Sequence, residues 1–430
     1  MNSFIIKGDI AYSKNKDELV TVGDGYLVCR DGICQGIYED VADLPDLPVV
    51  DHSGKLVLPG MIDLHIHAPQ YAFRGTHMDE ELMDWLNDYT FKEEAKYADL
   101  EYASAAYQMF ADGLKRSATT RACVFGTIHR EATELLMDKL AKTGLVAFVG
   151  KVNQDRNSPE ELDEKSAEHS MEETELWLKE TAGKYENVKP IITPRFIPTC
   201  SDELMEGLGS LAREHGLGVQ SHLSENPNEI QLVLDLVPDI EFYGQGYEKH
   251  GMLGPKSIMA HCIYSAEEER MLLKESGTYV AHCPSSNLNL RSGMAQIRKY
   301  LNSGIKIGLG SDVAGGESES IFGEIANAIR VSKMIQRYHD ADAKALTFSE
   351  AFWLATASGG SFFGSVGKFE PGFEFDAIVI DDAKQPCPQE LSIADRVERS
   401  VYLAMDRYAI IDKYVKGYSL SSAFTPSAII

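Results

Sequence analysis

Apolar, β-branched runs alternate along most of the chain with longer amphipathic stretches. The runs have the length of buried strands, and the stretches have the apolar spacing of helices. The runs lie near residues 57–67, 119–125, 145–152, 190–196, 217–222, 257–262, 278–282 and 305–311. The helix-like segments include 97–116, 129–142, 201–215, 265–275 and 317–337. This alternation predicts an α/β fold, a parallel sheet closed as a (β/α)8 TIM-like barrel; a doubly wound open sheet is the alternative.

The two ends of the chain have a different pattern, with short alternating runs separated by turn residues. Such runs predict β-hairpins. The turn signals lie at residues 7–9, 24–25 and 31–32, and the pattern returns at residues 366–372 and 376–380. We therefore expect the two ends to pair into one small β-sandwich domain beside the barrel. The predicted boundaries are 1–58 and 366–430 for the two parts of the sandwich and 59–365 for the barrel.

Composition restricts the possible partners. Hydrophobic residues make up 44% of the 430 residues and charged residues 25%, which is typical of globular proteins. No run approaches the roughly 18 uninterrupted apolar residues of a membrane span, and the first residues lack a signal-peptide layout. The net charge of −25 would repel a nucleic-acid backbone. We expect a cytoplasmic protein with a small-molecule partner and neither a membrane nor a nucleic-acid partner.

The seven cysteines are scattered and never spaced C-x-x-C. A disulfide framework and a cysteine-built zinc site are therefore both disfavoured. Any metal site in this chain should instead be sought among the histidines and carboxylates.

Two histidines end the first predicted barrel strand. Side chains alternate along a strand, so His65 and His67 point the same way, toward the barrel interior. At the carboxyl end of the strand they offer neutral nitrogen ligands to a metal. Taken alone, the pair also fits a chance occurrence on a polar strand face.

Further polar residues stand at the ends of other predicted strands. His222, His261 and Asp312 end the fifth, sixth and eighth strands, and Glu225 follows His222 closely. Core packing does not explain such a set at one rim. Three histidines and one carboxylate fit a Zn²⁺ site that lowers the pKa of a water, and Glu225 could shuttle protons. His261 could stabilise developing charge or act as a fourth ligand.

At these residues the chain resembles the amidohydrolase superfamily, nearly from end to end. Within it, the resemblance is greatest to the branch that deaminates guanine, because of the stretch from Gln70 to Phe91 and the pair Arg195-Phe196. The segments that carry the resemblance are 59–73, 84–91, 194–196, 221–226, 282–288 and 310–316.

The resemblance implies a role for each matching residue. It implies one Zn²⁺ per chain, bound by His65, His67, His222 and Asp312. The implied catalytic residues are Glu225 as proton shuttle, His261 and Asp312. The implied substrate-binding residues are Gln70, Arg195, Phe196 and His261, around guanine. It further implies a homodimer.

The fourth strand bears on the number of metals. Relatives with two metals bridge them through a carboxylated lysine at the end of this strand, and residues 191–196 contain none. We therefore expect one metal. Lys151 ends the third strand instead, and we predict it to be a surface or pocket residue.

Structural roles remain open for several of these residues. Arg195 could pair with one of the many acids, Phe196 could be core, and Gln70 could bond within its loop. Trp85 and Tyr89 could pack or form a lid. At the rim of the seventh strand, we expect His282 and Asn287 to hold loops by hydrogen bonds rather than bind metal.

The activity implied by the resemblance is hydrolytic deamination of guanine to xanthine and ammonia. The alternative is another mononuclear aminohydrolase or chlorohydrolase, acting on a pterin, an adenosine derivative or a triazine. A polynucleotide deaminase is disfavoured because H-x-E with P-C-x-x-C is absent from the sequence. A non-enzymatic scaffold barrel is least favoured, since it should have lost metal ligands or Glu225.

Overall fold

The fold is described from a computed structural model, which covers residues 2–420. The strands are β1 (Phe4–Asn15), β2 (Glu18–Arg30), β3 (Ile33–Tyr38), β4 (Val49–Pro59), β5 (Met61–His67), β6 (Thr119–Phe125), β7 (Val146–Gly150), β8 (Val152–Asn153), β9 (Val188–Pro190), β10 (Thr193–Pro194), β11 (Val219–Leu223), β12 (Ser257–His261), β13 (Tyr279–His282), β14 (Lys306–Leu309), β15 (Ala377–Ile380), β16 (Ile410–Val415) and β17 (Tyr418–Ser419).

The helices lie mainly between the strands of the barrel. They are α1 (Leu82–Trp85), α2 (Phe91–Glu94), α3 (Leu100–Arg116), α4 (Arg130–Thr143), α5 (Ala167–Thr181), α6 (Asp202–His215), α7 (Pro227–Leu236), α8 (Gly244–Lys249), α9 (Glu267–Ser276), α10 (Pro284–Asn289), α11 (Ile297–Ser303), α12 (Ile321–Tyr338), α13 (Phe348–Trp353) and α14 (Ile393–Tyr402). Within residues 2–420, none of them is long and apolar enough to cross a membrane.

The central strands close into the predicted barrel. Two parallel four-stranded sheets, β5-β6-β7-β9 and β11-β12-β13-β14, form its two halves. Ile192 and Val219 join the halves on one side through a parallel bridge. On the other side the backbone N–H of Asp312 donates to the carbonyl of His65 at 2.8 Å. The carboxyl ends of all these strands therefore meet at one mouth of the barrel.

Local sequence explains why these elements form. All the residues of β5, β6, β12 and β13 are buried, as expected for parallel strands covered by helices. Helices α6 and α9 end on Gly216 and Gly277, whose φ values of 62° and 73° are left-handed. Glycine adopts this conformation without steric cost, so the chain turns directly from each helix into the next strand.

The apolar run near 57–67 is two strands rather than the single one we predicted. It divides at Gly60, where a Cβ would lie 2.2 Å from the side chain of Thr120. The first part, β4, pairs with β1 and β15, whereas the second part, β5, pairs with β6 in the barrel. The Thr120 side chain thus leaves room only for glycine at the position where the chain passes from one sheet to the other.

The strands at the two ends of the chain form one separate mixed sheet, in the order β17-β16-β15-β4-β1-β2-β3. The predicted pairing of the two ends is therefore confirmed, and its strands are linked as a single continuous sheet. Phe4, Phe375 and Tyr414 pack ring against ring in its own core. Residues 421–430, at the end of the predicted C-terminal part, lie outside the described residues.

A buried ion pair fastens this sheet to the barrel. Arg121, on β6, donates from Nε to Asp376 Oδ2 at 2.7 Å and from Nη2 to Glu374 Oε2 at 3.0 Å. The side chains of Arg121 and Asp376 are 3% and 0% exposed. Asp376 also accepts the backbone N–H of Lys416. One carboxylate thus joins β6 to the start of β15 and to the turn between β16 and β17.

We expect Asp376→Ala to lower the free energy of unfolding by about 3 to 5 kcal/mol, because it leaves the Arg121 charge buried without its main partner. Denaturant unfolding measures this change. The control is Asp17→Ala, which breaks the exposed Lys16–Asp17 pair and should cost at most about 1 kcal/mol. Equal effects of the two substitutions would show that the buried pair does not stabilise the junction.

Candidate active site

Residues from four barrel strands meet at the mouth. His65 and His67 lie at the end of β5, His222 lies on β11, His261 ends β12, and Asp312 follows β14. Ligand atoms of His65, His67 and Asp312 lie within 4.8 Å of one another, as do those of His65, His222 and His261. The structure therefore brings together all the residues that we predicted for a metal site.

The distances among the donor atoms fit a single small cation. His67 Nε2 lies 3.2 Å from His65 Nε2 and 3.3 Å from His222 Nε2. Asp312 Oδ1 lies 3.1 Å from His65 Nε2 and 3.4 Å from His67 Nε2. Tetrahedral ligands about 2.0 to 2.1 Å from Zn²⁺ would be about 3.3 Å apart. His65, His67, His222 and Asp312 could therefore hold zinc as they stand.

The protonation of the histidines also fits a metal. Burial lowers the pKa of His65, His67 and His222, which keeps the imidazoles neutral. His222 Nδ1 donates to the backbone carbonyl of Arg195 at 2.7 Å, so Nε2 keeps its lone pair. A cation among these nitrogens would accept several lone pairs at once, which hydrogen bonds among imidazoles cannot do.

Glu225 lies beside this cluster. Its Oε2 is 3.4 Å from His261 Nε2, and its Oε1 accepts a hydrogen bond from Ser292 at 3.1 Å. Burial raises the pKa of Glu225 to about 7, so the carboxyl can both take up and release a proton near neutral pH. His261 Nδ1 donates to Asn287 Oδ1 at 2.8 Å, which turns Nε2 toward Glu225 and Asp312.

The cluster opens into a pocket of about 410 Å³, counting its open mouth. It is lined by His67, Gln70, Leu82, Trp85, Leu86, Arg195, Phe196, His222, Glu225, His261, Leu290, Asp312 and Gly315. The four residues predicted to bind substrate, Gln70, Arg195, Phe196 and His261, thus share one pocket with candidate metal ligands.

Sequence reasoning missed Glu94, which contacts two of these residues. Its carboxylate accepts hydrogen bonds from Arg195 at 2.5 and 3.2 Å and from Gln70 at 2.9 Å. Arg195 therefore does pair with an acid, as the alternative allowed, although Glu94 itself does not line the pocket. No sequence pattern distinguishes Glu94, because it is one of two adjacent acids in a chain with 66 acidic residues.

Other predicted residues lie around the pocket. Trp85 is buried and lines it, whereas Tyr89 stacks on His77 at 3.6 Å between ring centroids. Asn287 orients His261 rather than a loop. His282 is buried, and its Nδ1 has no hydrogen-bond partner among residues 2–420.

The prediction for Lys151 is wrong. Its side chain is 0% exposed and pairs with Glu164, and Lys151 does not line the pocket. Lys151 Nζ also donates to the carbonyl of Val152. The buried carboxylate of Glu164, 13 residues later in the chain, compensates the charge that we had placed at the surface.

A parallel barrel with histidines and an aspartate at its mouth is the arrangement of a metal-dependent hydrolase. A model of the amidohydrolase family matches residues 56–417, so this chain belongs to the amidohydrolase family.

Several proteins similar to this chain are guanine deaminases. The guanine deaminase of Dictyostelium discoideum is 40% identical over 402 residues, which are 92% of this chain and 87% of that protein. The crystal structure of the C. acetobutylicum guanine deaminase with bound guanine is 44% identical, with a TM-score of 0.94 over 97% of this chain and 100% of that one. The E. coli guanine deaminase structure is 32% identical, with a TM-score of 0.87 over 97% and 99% of the two chains.

We expect His65→Ala, His67→Ala and Asp312→Ala each to reduce bound zinc well below one ion per chain. Each substitution removes one donor from a set of four. Metal analysis after purification in the presence of zinc provides the measurement. His282→Ala removes a buried histidine from the same rim and should leave the zinc content unchanged. Full occupancy in the first three variants would mean that other residues bind the metal.

Proposed function

We propose that this protein hydrolyses guanine to xanthine and ammonia with one zinc ion per chain. The observation that carries the proposal is a single pocket, which brings three histidines and the aspartate of the cluster together with Glu225 and the polar groups of Gln70 and Arg195. The 44% identical relative that was crystallised with guanine supports the choice of substrate.

The pocket has groups suited to the edge and face of guanine. Arg195 uses two of its five N–H groups on Glu94 and keeps the others for a carbonyl or ring nitrogen. Gln70 accepts the backbone N–H of Ala314 and donates one N–H to Glu94, which leaves its second N–H free. Phe196 offers an aromatic ring to the flat face of the base.

The chemistry requires water to be activated and two protons to be moved. Zinc bound at the cluster lowers the pKa of water and so supplies a nucleophile near neutral pH. Glu225 takes a proton from the attacking water and delivers it to the ring nitrogen beside C2. Asp312 takes the second proton and helps to pass it to the departing amine. His261, held by Asn287, faces both carboxylates and stabilises charge on the reacting group.

The bonds balance in this scheme. A C–O bond forms at C2, the exocyclic C–N bond breaks, and the amine leaves as ammonia. Charge grows on the ring during attack, so the groups that hold the ring act in the transition state as well as in binding.

The experiment is an ammonia-release screen over guanine, adenine, cytosine, pterins and triazines, with xanthine formation followed for guanine. Guanine should be the preferred substrate. If another compound is preferred, the protein still belongs to the amidohydrolase family, but guanine is not its substrate. Metal analysis of the same preparation measures whether each chain holds one zinc ion, as proposed, or two metal ions.

We also propose that the protein is a homodimer, which the family resemblance implies, and that it is cytoplasmic, which its composition predicts. Light scattering on the purified protein measures its mass in solution and would exclude the dimer if it gave about 47.6 kDa, the mass of one chain.

We expect Glu225→Gln to keep near-stoichiometric zinc and to lose at least ~10²-fold in turnover, the scale of general acid–base catalysis. The amide cannot take up and release the proton, and Glu225 is not among the four proposed ligands. Metal analysis and a guanine assay on one preparation provide the test. Normal activity would remove Glu225 from the mechanism, and loss of zinc would make it a ligand.

We expect guanine to be deaminated at least ~10²-fold more efficiently than adenine or 2-aminopurine. A purine that lacks the 6-carbonyl leaves a buried donor unpaired, which costs about 1 to 3 kcal/mol per group and more for a charged one. Comparison of kcat/KM for the three bases provides the measurement. Arg195→Ala should reduce the ratio of kcat/KM for guanine to kcat/KM for the other two bases. An unchanged ratio in this variant would show that Arg195 does not bind the 6-carbonyl.

A further inference from the structure

Glu94 occupies a position that the proposed reaction does not use directly. Glu94 ends α2 and is 2% exposed, and it does not line the pocket. Its Oε1 accepts from Gln70 Nε2 at 2.9 Å and from Arg195 Nη2 at 3.2 Å, and its Oε2 accepts from Arg195 Nη1 at 2.5 Å. One carboxylate thus holds the two polar residues that face the substrate from different parts of the barrel mouth.

The first consequence concerns the orientation of the Gln70 amide. An amide has an oxygen that accepts and a nitrogen that donates, and the two ends have nearly the same shape. An ionised carboxylate only accepts, so it selects the orientation in which Nε2 faces Glu94. Oε1 then accepts the backbone N–H of Ala314 at 3.1 Å. The pocket therefore receives an N–H donor from Gln70 rather than a carbonyl oxygen.

The second consequence concerns Arg195. The bidentate contact with Glu94 fixes the plane of the guanidinium, which also lies over the ring of Phe91 at 4.9 Å. The Arg195 side chain is 4% exposed, and the Glu94 side chain is 3% exposed. Since the pair is buried, Glu94 cancels the charge that Arg195 would otherwise bring to the pocket. The pocket then presents directed donors without net positive charge, which suits a neutral base rather than an anion.

We propose that Glu94 is the positioning residue that sets substrate specificity, through the orientation of Gln70 and the alignment and neutralisation of Arg195. This inference rests on the proposed function, because it assigns to Gln70 and Arg195 the recognition of a purine base. Glu94 itself does not touch the substrate.

The experiment compares Glu94→Gln with Glu93→Gln. Glu93 is the adjacent buried acid, but it bonds to Tyr102 and Lys96, so its substitution controls for loss of a buried carboxylate in α2. Zinc content, thermal midpoint, KM and kcat are measured for each variant. We expect Glu94→Gln to raise KM for guanine about 10- to 100-fold, the loss of one charge-assisted hydrogen bond. The fall in kcat should be smaller than the rise in KM.

Glu93→Gln should keep KM within about threefold of the wild type. Equal KM changes in the two variants would overturn the proposal, as would an unchanged KM in Glu94→Gln. If Glu94→Gln does not fold, Glu94→Asp replaces it, because it keeps the charge and shortens the reach by one methylene. It should raise KM at least about fivefold with zinc retained, and an unchanged KM would again overturn the proposal.

A double-mutant cycle separates positioning from a general structural role. If Glu94 acts through its two partners, Glu94→Gln should add at most about a threefold loss in kcat/KM to Gln70→Ala or to Arg195→Ala. Independent, multiplicative losses in both cycles would show that Glu94 acts in another way. Glu93→Gln should show no such coupling with Gln70→Ala or Arg195→Ala.

The failure of the proposed function is distinguishable from the failure of this inference. If the wild type does not deaminate guanine, the comparison is repeated with the base that the ammonia screen identifies. Calorimetric binding of guanine to the metal-depleted protein provides the affinity ratio without any turnover. A wild type that binds guanine at least about tenfold more tightly than Glu94→Gln supports the role of Glu94, and equal affinities overturn it.

Discussion

The carboxyl ends of parallel strands converge at one mouth of a closed barrel, and this convergence forces nitrogen and oxygen donors together. His67 Nε2 lies 3.2 and 3.3 Å from two other imidazole nitrogens in a largely buried site. Such neighbours are tolerable when a cation lies among them and each imidazole is neutral. Burial supplies the neutrality by lowering the pKa of the histidines. Burial also raises the pKa of Glu225 to about 7, so the same burial suits both the proposed metal binding and the proposed proton transfer.

Arg195 links this metal cluster to the binding pocket. Its backbone carbonyl accepts hydrogen bonds from His222 Nδ1 and Ser221 Oγ, whereas its side chain lines the pocket and pairs with Glu94. The residue that orients His222, a proposed metal ligand, is therefore also the residue proposed to bind the base. Both contacts are made from one segment directly after β10.

The sheet formed by the two ends of the chain supports the barrel from the outside. Gly60 carries the chain from β4 of this sheet directly into β5, the strand that bears His65 and His67. Arg121 and Asp376 fasten the neighbouring strand to the same sheet through a buried ion pair. The two proposed metal ligands His65 and His67 thus lie on the strand that directly follows the terminal sheet.

The sequence by itself determined the barrel, the pairing of the chain ends and the histidines and carboxylates of the site. These follow from local pattern, because strand alternation places His65 and His67 on one face and the strand ends place His222, His261 and Asp312 at one rim. Only the tertiary structure decided the partners. Glu94 and Arg195 are 101 residues apart, and Ser292 and Glu225 are 67 apart. Lys151 was predicted to be a surface or pocket residue because no local pattern shows that Glu164 compensates its charge in the core. Periodicity reports which face a side chain occupies, but a hydrogen bond between distant residues depends on how the packed elements approach one another.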